Sequence, residues 1–108
     1  MHLLLKGLGA SAGEIEGVAK VFMPGESSAQ FPENAILVTT LTDPTMVMAM
    51  TKATAIITDA GGITSHPAIL SREMGIPCVV NTKQATQIIK DGMRLLVNGT
   101  TGEIFLIQ

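Results

Sequence analysis

Tryptophan and tyrosine are absent from this 108-residue chain, and lysine and arginine together number only seven. Proteins that bind nucleic acids typically combine a basic surface with aromatic side chains that stack on bases, so the composition argues against that class. Only 15% of the residues are charged, which also argues against a helix lying on a membrane surface. No apolar run approaches the ~20 residues that a membrane-spanning helix needs. We therefore expect neither nucleic acid nor membrane among the partners.

Cysteine occurs once, as Cys78, so no disulfide can form within the chain and a cytoplasmic location is the default expectation. The apolar run at residues 3–5 is too short for the core of a signal peptide. Cys78 follows a proline and precedes two valines, which predicts a buried, unreactive thiol. No combination of Cys, His, Asp and Glu has the spacing of a metal site, so no metal is expected on this chain.

Apolar residues are abundant, at 46% of the sequence. This composition predicts one folded domain over residues 1–108. Short β-rich runs alternate with helical stretches, a pattern that predicts an α/β fold with a mixed sheet and short helices. The predicted strands cover residues 17–22, 35–39, 55–58, 78–80, 94–97 and 103–107. The predicted helices run from 44 to about 52, from 66 to 74 and from 84 to 89. The run Asn98-Gly99-Thr100-Thr101-Gly102 is a strong hairpin signal between the last two strands.

The most informative stretch is Gly61-Gly62-Ile63-Thr64-Ser65-His66, between a predicted buried strand and a predicted helix. Backbone N–H groups at a helix N-terminus lack partners, and the helix dipole favours an anion there. Two glycines let the backbone turn sharply and approach a ligand closely. A neutral imidazole in this setting can attack phosphorus and carry the phosphoryl group. We therefore predict that His66 becomes a phosphohistidine, with Gly61, Gly62, Thr64 and Ser65 as its phosphate-binding neighbours.

Four nearby side chains have two interpretations each. Thr64 and Ser65 either contact the phosphate or cap the helix. Asp59 either orients His66 through a hydrogen bond or caps the loop. Arg72 either supports the phosphate or makes a salt bridge or surface contact. Arg72 lies six residues from His66, so the two do not share a helix face.

The same segment resembles the signature of a known family, the swivelling phosphohistidine domain of phosphoenolpyruvate-utilising enzymes such as phosphoenolpyruvate synthase and pyruvate phosphate dikinase. The residues that carry the resemblance extend beyond the glycine pair and histidine to Ala68-Ile69, Arg72-Glu73 and Gly75-Ile76-Pro77. An opening segment, Gly9-Ala10-Ser11-Ala12-Gly13, and the closing hairpin also fit, so the similarity covers nearly the whole chain. Two positions depart from the family pattern. Pro67 stands where alanine is usual, and Asn81 where glycine commonly follows the strand.

The resemblance implies a swivelling domain of the β/β/α type whose His66 accepts phosphate and passes it between catalytic modules. It implies a nucleotide-binding module and a barrel module that binds phosphoenolpyruvate or pyruvate, in the same polypeptide or on separate chains. Mg²⁺ and nucleotide or phosphoenolpyruvate would bind those modules, so this phosphotransferase component is not expected to be catalytically complete alone. In some family members a threonine at the position of Thr64 is a regulatory phosphorylation site.

Two other functions remain open from the sequence. One is a scaffold that keeps the fold but has lost phosphoryl transfer, with Pro67 as the cause. The other is a module that binds a phosphorylated ligand through the glycine loop without covalent chemistry.

Overall fold

Eight strands and three short α-helices make up the architecture of the computed structural model, which describes residues 1–107. The strands are β1 His2–Lys6, β2 Leu8–Ser11, β3 Glu14–Val21, β4 Ile36–Thr39, β5 Ala55–Thr58, β6 Cys78–Val80, β7 Arg94–Asn98 and β8 Glu103–Leu106. The α-helices are α1 Val47–Lys52, α2 His66–Met74 and α3 Ala85–Ile88, with 3-10 turns at Ser28–Gln30 and Pro44–Met46. The fold is therefore α/β with a mixed sheet and short helices, as predicted.

The strands are hydrogen-bonded in the order β1-β8-β7-β3-β4-β5-β6-β2. The pairs β3–β4, β4–β5 and β5–β6 are parallel, and all other pairs are antiparallel. The last two strands form the predicted hairpin, in which Asn98 pairs with Glu103. No helix within residues 1–107 is long and apolar enough to cross a lipid bilayer.

The central parallel strands are buried on both faces, which explains why their sequences are almost continuously apolar. Successive residues of β4 alternate between two cores: Leu37 packs into one, while Ile36 and Val38 pack into the other. The first core lies against α1 and α2 and includes Met46, Met50, Ile56, Ala68 and Cys78. The second core joins the opposite faces of β4 to β6 to the hairpin and α3, and includes Ile57, Val79, Ala85, Leu95, Val97 and Ile104. Apart from alanine, methionine and cysteine, the core residues named here are valine, isoleucine and leucine. Valine and isoleucine are β-branched, which suits them to the pleated surface of a sheet.

The first two strands were not predicted. β1 and β2 lie at opposite ends of the strand order yet are consecutive in the chain, joined at Gly7. β3 also begins at Glu14, three residues before the predicted start at 17. These segments are strands because of distant partners: β1 pairs with β8, β2 with β6 and the start of β3 with β7. Because the partner strands lie far away in the sequence, the residues of these segments carry little local indication that they form strands.

Glycines at the β7–β8 turn make this arrangement possible. A Cβ on Gly99 would lie 1.9 Å from the Ser11 carbonyl oxygen, and one on Gly102 would lie 2.2 Å from the carbonyl oxygen of Gly7. The Gly7 N–H also donates to the Gly102 carbonyl over 2.9 Å. The backbones of the amino-terminal strands and of the hairpin turn are therefore in direct contact, with no room for side chains between them.

Candidate functional site

The segment that carries His66 begins at the carboxyl ends of the parallel strands β4 and β5. Backbone pairing continues past the strands, since the Asp59 N–H donates to the Thr39 carbonyl and the Ala60 N–H to the Thr40 carbonyl, each over 3.0 Å. The fully buried Thr58 hydroxyl donates to the Ala60 carbonyl over 2.6 Å. These bonds hold the first residues of the loop in place. The loop thus occupies the sheet edge at which α/β proteins commonly bind ligands.

The glycine pair forms the sharp turn that the sequence predicts. Gly61 has a φ of +108°, a backbone conformation that favours glycine. A Cβ there would also approach the Ser65 hydroxyl oxygen to 3.2 Å. Gly62 has no other heavy atom within 4 Å of where its Cβ would be, so its outer side is open. A ligand can therefore approach the Gly62 backbone without meeting a side chain.

Ser65 occupies the N-cap position of α2 but does not cap the helix with its side chain. Its hydroxyl donates to the Gly62 carbonyl over 2.6 Å, and its backbone N–H donates to the same oxygen over 3.0 Å. The hydroxyl therefore closes the glycine turn, and its oxygen lone pairs remain available as acceptors. Thr64 beside it is exposed, and no hydrogen bond involves its side chain within residues 1–107.

His66 is the first residue of α2 and its side chain is exposed. Across the described residues, the backbone N–H groups of His66 and Ala68 have no acceptor in the protein, whereas the Ile69 N–H donates to the Ser65 carbonyl over 3.0 Å. Pro67 lies between them, buried, and contributes no N–H. The helix start thus offers two free donors beside an accessible imidazole, in the orientation that favours an anion.

The other end of α2 follows the sequence prediction closely. Gly75 ends the helix with a φ of +73°, and its N–H donates to the Arg72 carbonyl over 3.3 Å. The Ile76 N–H reaches the Ser71 carbonyl over 3.0 Å. This left-handed glycine termination fixes the length of the helix that presents His66.

Arg72 links the loop to the amino-terminal strands. Its Nε donates to the Ala10 carbonyl over 2.7 Å, and its Nη2 donates to the Ile63 carbonyl. Both partners are backbone oxygens, and no carboxylate among the described residues forms an ion pair with it. In this structure the guanidinium fixes the backbone just before His66 through these two bonds.

Asp59 is directed towards α3. Its Oδ1 accepts a hydrogen bond from the Thr86 N–H over 3.0 Å, and its Oδ2 accepts one from the Thr86 hydroxyl. The Lys83 N–H also donates to the Asp59 carbonyl over 2.9 Å. Asp59 therefore bonds the first turn of α3, and no hydrogen bond within the described residues joins it to His66.

Two cavities share His66 and Thr42 in their walls. The first, of about 250 Å³, is also lined by Leu41, Ala60, Gly61, Ser65 and Pro67. The second, of about 230 Å³, is also lined by Asp43, Pro44 and Val47. Among these lining residues only Asp43 carries a full charge, and its Oδ1 accepts from the Thr45 N–H over 2.8 Å, as the predicted cap of the helical segment that starts at Pro44. A larger cavity of about 550 Å³ lies at the amino end of β4 and contains the Lys20–Asp91 ion pair, but no histidine.

Thr42 is the residue at this site that sequence reasoning missed. Its hydroxyl oxygen is buried and has no hydrogen-bond partner within residues 1–107. One signal could have drawn attention to it. Thr42 follows shortly after β4, whose carboxyl end meets that of β5, and polar residues at adjacent strand ends commonly share a site.

The surface around His66 is mainly apolar. Four aliphatic side chains near it are unusually exposed: Leu41 by 51%, Val47 by 39%, Ile63 by 53% and Ile69 by 45%. Leu41 and Val47 line the two cavities, Ile63 precedes His66 in the loop, and Ile69 lies one turn along α2. No group of three or more His, Cys, Asp or Glu side chains placed to hold a metal occurs in the described chain.

Comparisons with a family model and with individual proteins point to the same family. The family described as "PEP-utilising enzyme, mobile domain" matches residues 31–102. A probable phosphoenolpyruvate synthase from Archaeoglobus fulgidus is 52% identical over 103 residues, which cover 95% of this chain and 14% of that protein. The phosphoenolpyruvate synthase of Pyrococcus furiosus is also 52% identical, with 96% of this chain and 13% of that protein covered. The chain thus spans about one seventh of the length of these relatives.

Solved structures agree on the fold. A solution structure of an Enzyme I protein superposes with a TM-score of 0.65 at 28% identity, covering 75% of this chain and 34% of that one. The aconitase X of Thermococcus kodakaraensis superposes with a TM-score of 0.66 at 22% identity, covering 96% of this chain and 98% of that one. The second likeness concerns the fold alone, since one fold commonly serves unrelated functions.

Proposed function

Because this chain belongs to the family of mobile domains of phosphoenolpyruvate-utilising enzymes, we propose that it accepts a phosphoryl group on His66 and carries it between two catalytic modules. The observation that carries the proposal is the setting of His66. An exposed imidazole stands at the first residue of α2, beside two free backbone donors and an open glycine turn. This combination provides a nucleophile and an anion-binding backbone at one place.

The proposed step is a displacement at phosphorus. The lone pair of one imidazole nitrogen forms an N–P bond, and the bond from phosphorus to the donor's leaving oxygen breaks with its electrons. The other ring nitrogen keeps its proton during the attack, so the ring develops positive charge beside the negative phosphoryl oxygens. Delivery reverses these events, with an acceptor oxygen in place of the donor's. Both directions need His66 to be accessible, and its side chain is exposed.

The charge on the transferring group requires positioned donors. The N–H groups of His66 and Ala68 and the open backbone at Gly61 and Gly62 are the candidates in this chain. Ser65 would contribute indirectly, because its hydroxyl donates to the Gly62 carbonyl and so stabilises the glycine turn. Thr64 is exposed one residue further back, available to contact the phosphoryl group or to serve as the regulatory phosphorylation site that the family resemblance implies.

The rest of the reaction belongs to other modules. A nucleotide-binding module and a barrel module for phosphoenolpyruvate or pyruvate would hold Mg²⁺ and the small-molecule substrates. The relatives named as phosphoenolpyruvate synthases are about seven times longer than the matched region, which leaves room for such modules in one polypeptide. Tethering would raise the effective concentration of the carrier at each active site. The exposed Leu41, Val47, Ile63 and Ile69 would be covered when the domain docks.

The test uses labelled phosphoenolpyruvate together with a barrel module from a phosphoenolpyruvate synthase that is active on its own carrier domain. We expect acid-labile label on His66, located by mass spectrometry, and none in His66→Ala. A His66→Gln variant controls for packing, because it keeps a polar side chain at the helix start. Absence of label from the folded wild-type chain with the active barrel module would contradict the proposal.

One observation favours the scaffold alternative. Pro67 removes a donor from the first turn of α2, where a phosphoryl group would be held. A Pro67→Ala variant restores that N–H and separates the two functions. If only this variant becomes labelled, the natural chain is a scaffold that has lost transfer. If saturable binding of a phosphorylated ligand survives His66→Ala, the chain is a non-covalent binding module instead.

A further inference from the structure

The dipeptide Asn98-Gly99 at the start of the β7–β8 turn is a chemically reactive feature that the proposed carrier function does not use. Asparagine is one of the thermally labile residues of proteins. It loses its side-chain amide when the backbone nitrogen of the following residue attacks the side-chain carbonyl carbon, Cγ. A side chain on that following residue obstructs the attack, and glycine has none. The sequence therefore places the least obstructive neighbour beside Asn98.

The folded structure requires both residues of this dipeptide. A Cβ on Gly99 would lie 1.9 Å from the Ser11 carbonyl oxygen, so no larger residue fits there. Asn98 closes the turn, because its Oδ1 accepts hydrogen bonds from the Thr100 N–H over 2.9 Å and from the Thr101 N–H over 3.0 Å. The reactive pair is therefore built into the closure of the hairpin.

Hydrogen bonds in the folded chain restrain both reacting groups. The Gly99 N–H donates to the Gly13 carbonyl over 2.8 Å, so its nitrogen must leave that bond and lose its proton before it can attack. The Asn98 side chain is held at both ends, since its Oδ1 accepts the two turn bonds and its Nδ2 donates to Glu14 Oε2 over 3.3 Å. Turning Cγ towards the Gly99 nitrogen would break these bonds. The attack thus requires the turn to separate from the start of β3.

We propose that Asn98 is a deamidation site whose modification is controlled by the opening of the β7–β8 turn. When the turn opens, hydroxide or a buffer base removes the Gly99 amide proton, and the nitrogen forms a bond to Asn98 Cγ. The bond from Cγ to Nδ2 then breaks, and the amide group leaves as ammonia after taking a proton from water. Water opens the resulting cyclic imide at one of its two carbonyls, which gives aspartate or isoaspartate. No oxidant or reductant is needed, and the proposal does not depend on the carrier function.

The modified turn cannot re-form its original contacts. Aspartate would place a carboxylate oxygen where Nδ2 lies, 3.3 Å from Glu14 Oε2. Residues 14 and 98 are direct partners in the β3–β7 pairing, and like charges in such a pair are destabilising. Isoaspartate would add one carbon to the main chain of a turn so close to β1 and β2 that a Cβ on Gly102 would lie 2.2 Å from the Gly7 carbonyl oxygen. Either product therefore loosens the hairpin from the amino-terminal strands.

The experiment incubates the whole chain in mildly alkaline buffer, once folded and once unfolded in urea. Peptide mapping by mass spectrometry follows the conversion of each asparagine to an acid. We expect conversion at Asn98 to be at least about tenfold slower in the folded chain, because only the open fraction of the molecules reacts. Asn34 and Asn81 provide internal comparisons, since alanine and threonine follow them. Equal rates at Asn98 with and without urea, or faster conversion of Asn34 or Asn81 in the unfolded chain, would overturn the proposal.

Two variants test the restraint directly. Glu14→Ala removes the acceptor of the Nδ2 bond and should raise the rate in the folded chain about three- to tenfold, the effect of one ordinary hydrogen bond, without changing the rate in urea. Glu16→Ala is the matched control, because it removes the same charge two residues along β3, opposite Leu96, and it should change neither rate. Equal folded-state rates in the two variants would contradict the restraint. If Glu14→Ala does not fold, Thr100→Ala serves instead, since it removes the hydroxyl oxygen to which the Gly13 N–H donates over 3.1 Å.

The deamidated chain carries one additional negative charge, so ion-exchange chromatography separates it from the unmodified chain. We expect its Tm to lie about 5 °C lower, and Asn98→Asp to reproduce the loss for the aspartate product. An unchanged Tm for both would refute the claim that the modified turn loses its contacts.

Discussion

Removal of the Asp59 carboxylate tests whether this residue serves the fold or the chemistry. In the structure it accepts two hydrogen bonds from Thr86, one from the backbone N–H over 3.0 Å and one from the hydroxyl. A hydrogen bond to a charged group contributes about 1.5–3 kcal/mol. Asp59 is half-buried, so part of that energy is screened by solvent. We expect Asp59→Ala to lower the free energy of unfolding by about 2 kcal/mol.

The expected change in melting temperature follows from this energy and from the length of the chain. An unfolding entropy of about 2.1 cal/mol/K per residue gives roughly 0.23 kcal/mol/K for this domain. A loss of about 2 kcal/mol therefore lowers Tm by about 9 °C, which differential scanning calorimetry resolves easily. Thr86→Val should lower Tm by less, because only the hydroxyl bond is removed. The double variant should be less destabilised than the sum of the singles, since both remove one shared interaction.

Phosphorylation separates the two interpretations of Asp59. Because its carboxylate faces α3, the rate at which folded Asp59→Ala is labelled on His66 should equal that of the wild type at a temperature well below both Tm values. The reasoning is refuted if Tm changes by less than about 2 °C while labelling falls tenfold, an outcome expected only if Asp59 acts on the imidazole.

Three further predictions concern other parts of the molecule. Gly99→Ala should destabilise the protein by about 3 kcal/mol or prevent folding, as followed by urea unfolding, because its Cβ would lie 1.9 Å from the Ser11 carbonyl oxygen; wild-type stability would contradict the close contact. Burial raises the pKa of Cys78 from 9.0 to about 11, so the unfolded chain loses this proton first and stability should fall between pH 9 and 11, by up to about 1.4 kcal/mol per pH unit. Cys78→Ala should remove that part of the pH dependence, and a profile that is unchanged would contradict the assignment. Arg72→Lys should speed amide hydrogen exchange at the glycine turn, because one ammonium cannot replace both bonds to the Ala10 and Ile63 carbonyls; equal exchange would show that the guanidinium does not hold the loop.

The elements that could be predicted from the sequence are those whose signals are local. β4, β5 and β6 are short apolar runs between turn residues, and their burial on both faces accounts for that composition. The hairpin follows from its glycine-containing turn, and α2 ends at a glycine with a left-handed backbone. In each case a few neighbouring residues determine the backbone.

The first strands could not be predicted because their stability is not local. β2 covers Leu8–Ser11 and contains Gly9, a residue that is unfavourable in strands. It is a strand because its backbone pairs with β6, about 70 residues later in the sequence. Gly9 is required there for a different reason, since a Cβ would meet the Gly99 carbonyl oxygen at 2.4 Å. Such a contact exists only once the chain has folded.

The same limit applies to the side chains around His66. The position of the imidazole at a helix start follows from the glycine pair and the periodicity after it. Asp59 bonds Thr86, 27 residues away, and Arg72 bonds the Ala10 carbonyl, 62 residues away, so neither contact can be read from neighbouring residues in the sequence. Thr42 escaped notice for a related reason, because the significance of its hydroxyl lies in the absence of a partner after folding.

Pro67 and Asn81, the two positions that the resemblance marks as departures, have different physical consequences. Asn81 has a φ of +56°, a region that glycine adopts freely and asparagine tolerates better than other residues, so this substitution preserves the backbone. Pro67 occupies the second position of α2, where its N–H would have had no acceptor in the helix, so the helix is also preserved. What Pro67 removes is a donor for an anion. A phosphoryl group on His66 would then depend more on the remaining backbone donors, among them the N–H groups of His66 and Ala68.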